Sequence, residues 1–487
     1  MTASRWFALL LAVACSPARA LPTPDLSALE AVPRVTLDAP QAKVLAAIAP
    51  KNDPYEFAVS VPAGVTPQAQ GLWDSPAPGE RRWRLRLQSP GALSLSLHLL
   101  PYDLPEGAQL WIYDAAGVLL RGPYGAAQRT PTGLWTPIVT AEEAVIELRV
   151  PEAQAAQVHL GVAEAFHGFR DWKAGVQTVP GKAGSCNIDV ACSDADTWRD
   201  EVRSVARIQI GGRYLCSGQL VNNVRQDLTP FFLTADHCGV GEDNAGPADS
   251  VVFYWNYQSS GCGGSRDGDL SQTQTGSTLV ADDSHSDFTL LRLAQAPSPT
   301  FQVFFAGWNA GHDGSSKGVA IHHPGGDQKS ISVYDTPVDR SEVSIDGTRT
   351  VEAWRVQWSN GTTEQGSSGG GLWNASHQLI GVLSGGSASC DNPGGYDYFG
   401  RIEEAWSANA AAAHQLKVHL DPDGTCIGSV PGRDPMRPAG QVDRSVDGCA
   451  GGSPSVAGSS DSAYHLGAIA PGWLLLALVA LKRRRVR

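Results

Sequence analysis

Three short segments hold side chains that can act together on an acyl group. Phe232-Leu233-Thr234-Ala235-Asp236-His237-Cys238 carries a histidine, His285-Ser286-Asp287-Phe288-Thr289-Leu290-Leu291 an aspartate, and Gly366-Ser367-Ser368-Gly369-Gly370-Gly371 a serine among glycines. A serine hydroxyl is a weak nucleophile and needs a base within hydrogen-bond reach. Histidine suits that task because it takes and returns a proton near neutral pH. A buried aspartate fixes its tautomer and stabilises the imidazolium that forms. The expected triad is His237, Asp287 and Ser368. The glycines let the chain turn sharply, leaving the amides of Gly366 and Ser368 to meet a developing oxyanion.

Taken singly, each segment is ordinary: a histidine beside a cysteine, the start of a strand, a glycine-rich loop. Together, in the order His, Asp, Ser, they are specific. Gly-x-Ser-x-Gly also marks α/β-hydrolases, whose order of serine, acid and histidine is met by Ser368, Asp397 and His414. That fold needs strands alternating with helices before the serine, and the sequence has short strands and loops instead. A non-catalytic surface or adhesion protein on a protease scaffold is the other rival, and the complete triad argues against it. His322-His323 is a poor pair of metal ligands, since neighbours on a strand point to opposite faces. They read as core residues, and no metal or cofactor is expected.

These residues need a rigid framework. With 53 Gly and 32 Pro in 487 residues, the chain favours turn-rich β-structure, and its length fits two folded units with flanking segments. Apolar residues alternate with polar ones at Trp83, Leu85 and Leu87, at Leu93, Leu95, Leu97 and Leu99, and at Ile146, Leu148 and Val150. Period two predicts strands with one buried face, here a small β-sandwich over about residues 75–165. Glu403–Leu420 is alanine-rich and reads as the one helix. A net charge of −12 excludes nucleic acid as a partner.

Residues 1–20 read as an export signal: Arg5, a short apolar run, then Ala18-Arg19-Ala20. Cys15 is an alternative lipidation site, disfavoured because Ala12 stands where such signals have leucine. The remaining cysteines all lie between 186 and 449, and export makes disulfides their default state. Gly175–Gly184 and Pro431–Ser462 read as linkers. Leu466–Leu481 is an apolar run followed by four basic residues, Lys482–Arg485. That tail is expected to anchor or sort the protein at the cell envelope.

The segments around the triad resemble the bacterial lysyl endopeptidases, within the trypsin-like class. Gly184–Val190, Leu220–Asn223, Tyr254–Gln258, Ser271–Gln274 and Ala320–Pro324 carry the resemblance, which spans about residues 181–420. It implies an all-β, two-barrel chymotrypsin-like protease domain over 181–425, with the active site between the barrels. It also implies a removable propeptide over 21–180; composition places a linker over 426–465 and the tail over 466–487. By the same resemblance Cys216 pairs with Cys238, Cys192 with Cys262, and Cys186 with Cys390. The first closes a loop of about 20 residues beside His237, worth roughly 3 kcal/mol. Cys426 and Cys449 remain. Many trypsins hold a specificity acid six residues before the serine; Thr362 stands there instead. Asp397 matches the aspartate with which lysyl endopeptidases select lysine, with Ser384 and Gly386 in the wall that pairs with substrate backbone. Lysyl endopeptidases have histidine where Ser384 stands. Protein or peptide substrates follow.

Overall fold

The computed structural model describes residues 26, 28–41, 55–170 and 183–437, apart from 242–244, 264–266, 346 and 348. The expected export signal, most of the 175–184 linker, Cys449 and the apolar tail lie outside the described residues. The described chain is mostly β-structure, in four sheets.

One sheet runs Thr273–Thr275, Val252–Trp255, Val205–Ile210, Tyr214–Val221, Phe231–Thr234, Phe288–Leu293, Ser277–Asp283. Its two edge strands are halves of one extended run that turns at Gly276. There φ is +94°, and Gly276 donates to Val251 O and accepts from Ala294 N–H. The sheet therefore closes on itself as a six-stranded barrel, with the short strand Tyr55–Glu56 added at Tyr214–Leu215. Ile208, Ile210, Leu220, Phe232, Phe253, Trp255 and Leu291 fill its interior, at the alternating positions that face inward.

A second sheet runs Ser330–Tyr334, Gly318–His322, Gly371–Asn374, Gln378–Gly386, Asp397–Arg401, Arg349–Val356. Beyond Val356 the chain reaches Asn360, which exchanges hydrogen bonds of 2.8 and 3.2 Å with Val333 on the first of these strands. That contact closes the second six-stranded barrel. One apolar cluster joins the two barrels: Val205, Val221, Leu233 and Leu290 meet Ile321, Ile331, Trp373 and Val382.

The N-terminal region is a sandwich of two sheets. Glu80–Gln88, Glu143–Pro151 and Gln109–Tyr113 form the centre of one; Ala58–Val65, His159–Gly168 and Ser94–Asp103 are consecutive in the other. Leu85, Leu87, Leu95, Leu97, Leu99, Ile146, Leu148 and Val150 pack between them, as their alternation predicts. The domain is larger than the 75–165 read from the pattern, because Arg34–Thr36, Ala58–Val65 and Leu72–Asp74 also join its sheets. The polar faces of its strands are buried too. Arg82 donates to both oxygens of Asp74 (2.8 and 2.6 Å), and Arg86 to Glu143 (2.7 Å). Ser96 is covered because it faces the first barrel, where Gln209 Nε2 donates to its hydroxyl (3.0 Å).

Two segments differ from expectation. Residues 403–420 are not one helix: Ile402–Ser407 ends, and a single 3-10 turn and the short helix Lys417–Leu420 follow. Asn409 breaks the run. Its side chain accepts from Ala411 N–H (3.0 Å) and donates to Asp283 (3.0 Å), a local alternative that outweighs alanine propensity. The start of the expected linker is folded: Ser429–Val430 pairs with Gly307–Asn309, and Val430 is fully buried.

Three disulfides join Cys186 to Cys390, Cys192 to Cys262 and Cys216 to Cys238, and Cys426 is also disulfide-bonded.

Candidate active site

His237 and Asp287 stand at the ends of two paired strands of the first barrel. Phe231–Thr234 leads into the 3-10 turn Asp236–Cys238, and Thr234 lies in register with Thr289, two residues after Asp287. His237 Nδ1 is 2.8 Å from Asp287 Oδ2 and 3.1 Å from Oδ1, and the His237 backbone N–H also donates to Oδ1 (2.9 Å). Both side chains are buried. Asp287 adopts φ +51°, a left-handed conformation that a non-glycine residue holds only when its surroundings enforce it. Asp236 beside them is paired with Arg349 at 2.9 Å, and burial, with Asp287 nearby, pushes its carboxyl up to about 6.

Ser368 lies in the loop between Arg349–Val356 and Gly371–Asn374 of the second barrel. Contacts across the barrel interface bring this loop to the histidine. Ser217 N–H donates to Ser368 O (2.8 Å), and the Cys238 sulfur is 3.8 Å from the same oxygen. Gly325 N–H donates to Gln365 O (2.6 Å). In a trans peptide the N–H points opposite to the carbonyl, so this bond turns the Gly366 N–H the other way. Ser217 Oγ donates to Gly366 O (2.9 Å). Gly366 has φ +86°, and a Cβ there would sit 2.6 Å from Gly326 N, so only glycine fits. The amides of Gly366 and Ser368 have no acceptor among the described residues.

Asp397 is 1% exposed. Its Oδ2 accepts from Trp358 Nε1 (2.7 Å) and Thr363 Oγ (2.6 Å), and its Oδ1 from Ala388 N–H (3.2 Å). Burial raises its carboxyl to about 6 against the opposing pull of these donors. No cation pairs with it among the described residues. Gly386 lies opposite Asp397 in the sheet, and a side chain there would run into the carboxylate. Ser384 is buried at a bulge of the same strand, and its hydroxyl accepts from Gly400 N–H (3.2 Å). His414 Nδ1–H donates to Asp282 O, and strand–helix alternation before Ser368 is absent among the described residues. Both facts remove the α/β-hydrolase reading.

Trp358, Thr363 and Ser217 carry no local signal of their roles, since each acts on a residue distant in sequence. Only Thr363, next to the position where trypsins hold their acid, could have been singled out.

Two closed β-barrels with a buried His–Asp pair on one and a Gly-x-Ser-x-Gly loop on the other define a chymotrypsin-like serine endopeptidase. The lysyl endopeptidase N-terminal domain family matches residues 29–169 and the lysyl endopeptidase C-terminal domain family residues 180–400. The chain belongs to the lysyl endopeptidase-like family. A lysyl endopeptidase of Pseudomonas aeruginosa is 29% identical over 366 residues, covering 69% of this chain and 76% of that protein. Among solved structures, a protease of M. tuberculosis in its active form is 18% identical over 48% of this chain and 90% of its own, with a TM-score of 0.31. The HtrA-type protease AlgW with tripeptide is 19% identical over 49% of this chain and 65% of its own, also at 0.31. Those two likenesses are too slight to add to the fold described above. As an endopeptidase the protein takes proteins or peptides as substrates.

Proposed function

We propose that this protein is an exported endopeptidase that cleaves after lysine, with arginine second, through an acyl-enzyme on Ser368. His237 is the general base and then the general acid, Asp287 orients it, and the amides of Gly366 and Ser368 stabilise the oxyanion. The observation that carries this reading is the buried His237–Asp287 pair on the segment that touches the Ser368 carbonyl. Nδ1–H donates to the carboxylate, so Nε2 is the basic nitrogen. Labelling by a fluorophosphonate tests it: the processed enzyme should label, and Ser368→Ala should not.

Asp397 supports the lysine preference. A cationic side chain entering a pocket loses hydration, and a fixed opposite charge offsets that cost. Asp397 is a buried carboxylate held by three neutral donors, a charge without a resident counter-ion. Lysine brings a compact ammonium, whereas arginine needs room for a planar fork.

The N-terminal domain is read as a propeptide. Tyr55–Glu56 adds a strand to Tyr214–Leu215, immediately before Cys216 and Ser217, and Phe57 N–H donates to Arg213 O (2.9 Å). A strand seated there stands beside the serine loop and obstructs an extended substrate. Cleavage between residues 173 and 182 then releases it, Lys173 and Lys182 being the points for self-processing. N-terminal sequencing of the released enzyme should find a start between Ala174 and Ala183. Phe57→Pro, which removes that donor, should raise the activity of the uncut precursor several-fold. A mature protein that begins near Leu21 would refute the propeptide.

The tail is read as an envelope anchor. Deleting residues 466–487 should move activity from the membrane fraction to the medium; identical fractionation of the two forms would remove that role.

A further inference from the structure

His322 is a buried histidine that the triad does not use. Its ring lies beneath the serine loop, between Ser367, the residue before the nucleophile, and Ser332 on the neighbouring strand. Nδ1 is 2.8 Å from Ser367 Oγ, and Nε2 is 3.0 Å from Ser332 Oγ. Ser332 Oγ is in turn 2.7 Å from Thr362 O, and Glu364 N–H donates to Ser367 Oγ (3.1 Å).

The protons in this chain can be assigned without ambiguity. A carbonyl oxygen only accepts, so the Ser332 hydroxyl hydrogen goes to Thr362 O. Ser332 Oγ then accepts from His322, which requires the hydrogen on Nε2. Nδ1 is left as an acceptor and takes the hydrogen of Ser367. Ser367 Oγ uses a lone pair for Glu364 N–H. The direction runs Glu364, Ser367, His322, Ser332, Thr362, with every member satisfied. The imidazole is therefore neutral, in agreement with burial, which lowers its pKa to about 3. All three side chains are almost wholly inaccessible to solvent.

We propose that His322 is a positioning residue: a neutral Ser367–His322–Ser332 relay that ties both ends of the turn 362–367 to the second barrel and so aims the amides of Gly366 and Ser368. It rests on the reading of those amides as the oxyanion donors. The Thr362 carbonyl and the Ser367 hydroxyl are the two ends held, and the peptide between Gln365 and Gly366 lies between them. A satisfied buried network of this kind specifies one geometry, because any shift leaves a polar group unpaired at low dielectric. It also needs no ion pair and no new chain terminus at the loop. The serine loop is accordingly built before the chain is cut, and release of the N-terminal domain opens access without rearranging it.

The test is steady-state kinetics and fluorophosphonate labelling of the processed enzyme, made from the full chain, with His322→Leu, His322→Gln and Ser367→Ala. Leucine fills the space and breaks the relay. Glutamine keeps an acceptor for Ser367 and a donor for Ser332. His322→Leu should lower kcat and the labelling rate about 10²-fold with KM within threefold, as expected when oxyanion donors are misaimed. His322→Gln should recover most of that loss. Ser367→Ala, which removes one hydroxyl and leaves the fold, should lower kcat about tenfold at constant KM. Wild-type kcat in Ser367→Ala, or equal losses in the leucine and glutamine variants, would overturn the relay. Wild-type labelling that persists in Ser368→Ala would instead remove the nucleophile assignment, so the two failures are told apart.

Discussion

Ser368→Ala is expected to lower kcat/KM by about 10⁵- to 10⁶-fold. Without the hydroxyl there is no acyl-enzyme, and His237 has no nucleophile to activate. Some acceleration over water remains, because the amides of Gly366 and Ser368 and the substrate pocket are untouched. The backbone at this position is held by Ser217 N–H on the carbonyl and not by the side chain, so the variant should fold. The comparison is made on one peptide with both proteins at equal concentration. If self-processing releases the N-terminal domain, the uncut precursor should accumulate in Ser368→Ala. An alanine variant that keeps more than about one hundredth of wild-type activity would refute Ser368 as nucleophile.

Asp397→Asn is expected to lower kcat/KM on lysine substrates by about 10²- to 10⁴-fold, since a buried charge left without its partner costs about 3–5 kcal/mol. Substrates with neutral side chains before the cut should lose much less. The carboxyl of Asp397 is raised to about 6 by burial, so it gains a proton as the pH falls through that value. The protonated acid cannot offset the ammonium of lysine. The ratio of lysine to neutral-substrate activity should therefore fall below about pH 6 in the wild type and stay flat in Asp397→Asn. Taking the ratio removes the titration of His237, which both substrates share. A wild type that prefers Phe, Leu or Glu before the cut, or an asparagine variant that keeps its lysine preference, removes this assignment and leaves the triad intact.

What could be read from the chain alone were features whose signal is local. The triad residues sit in short segments of distinctive composition, and the sandwich strands announce themselves because a pleated strand alternates its faces every residue. Trp83, Leu85, Leu87, Leu95, Leu97 and Leu99 lie in the core that this pattern predicts, whereas Leu93, at the start of the second alternating run, is exposed. The pattern was silent on the opposite faces. Arg82 is buried because Asp74 of an adjacent strand pairs with it, and Ser96 because another domain covers it. Asp74 is eight residues from Arg82 but on another strand, and Gln209 is 113 residues from Ser96. The alanine-rich stretch after Glu403 failed for a related reason: helix propensity is a weak local preference, and one side-chain bond from Asn409 to Asp283 overrides it. Asp397 was legible as a position but not as an environment. Its donors come from Trp358 and Thr363 on the loop after Val356 and from Ala388 after Gly386, two segments that only the folding of the second barrel brings together. The same holds for His322. Read along the chain it is one of two adjacent histidines on a strand, and its contact with Ser367 crosses 45 residues. Residue type and order determine which chemistry is available; the pairing of strands distant in sequence decides which histidine meets a buried aspartate and which meets only serine hydroxyls.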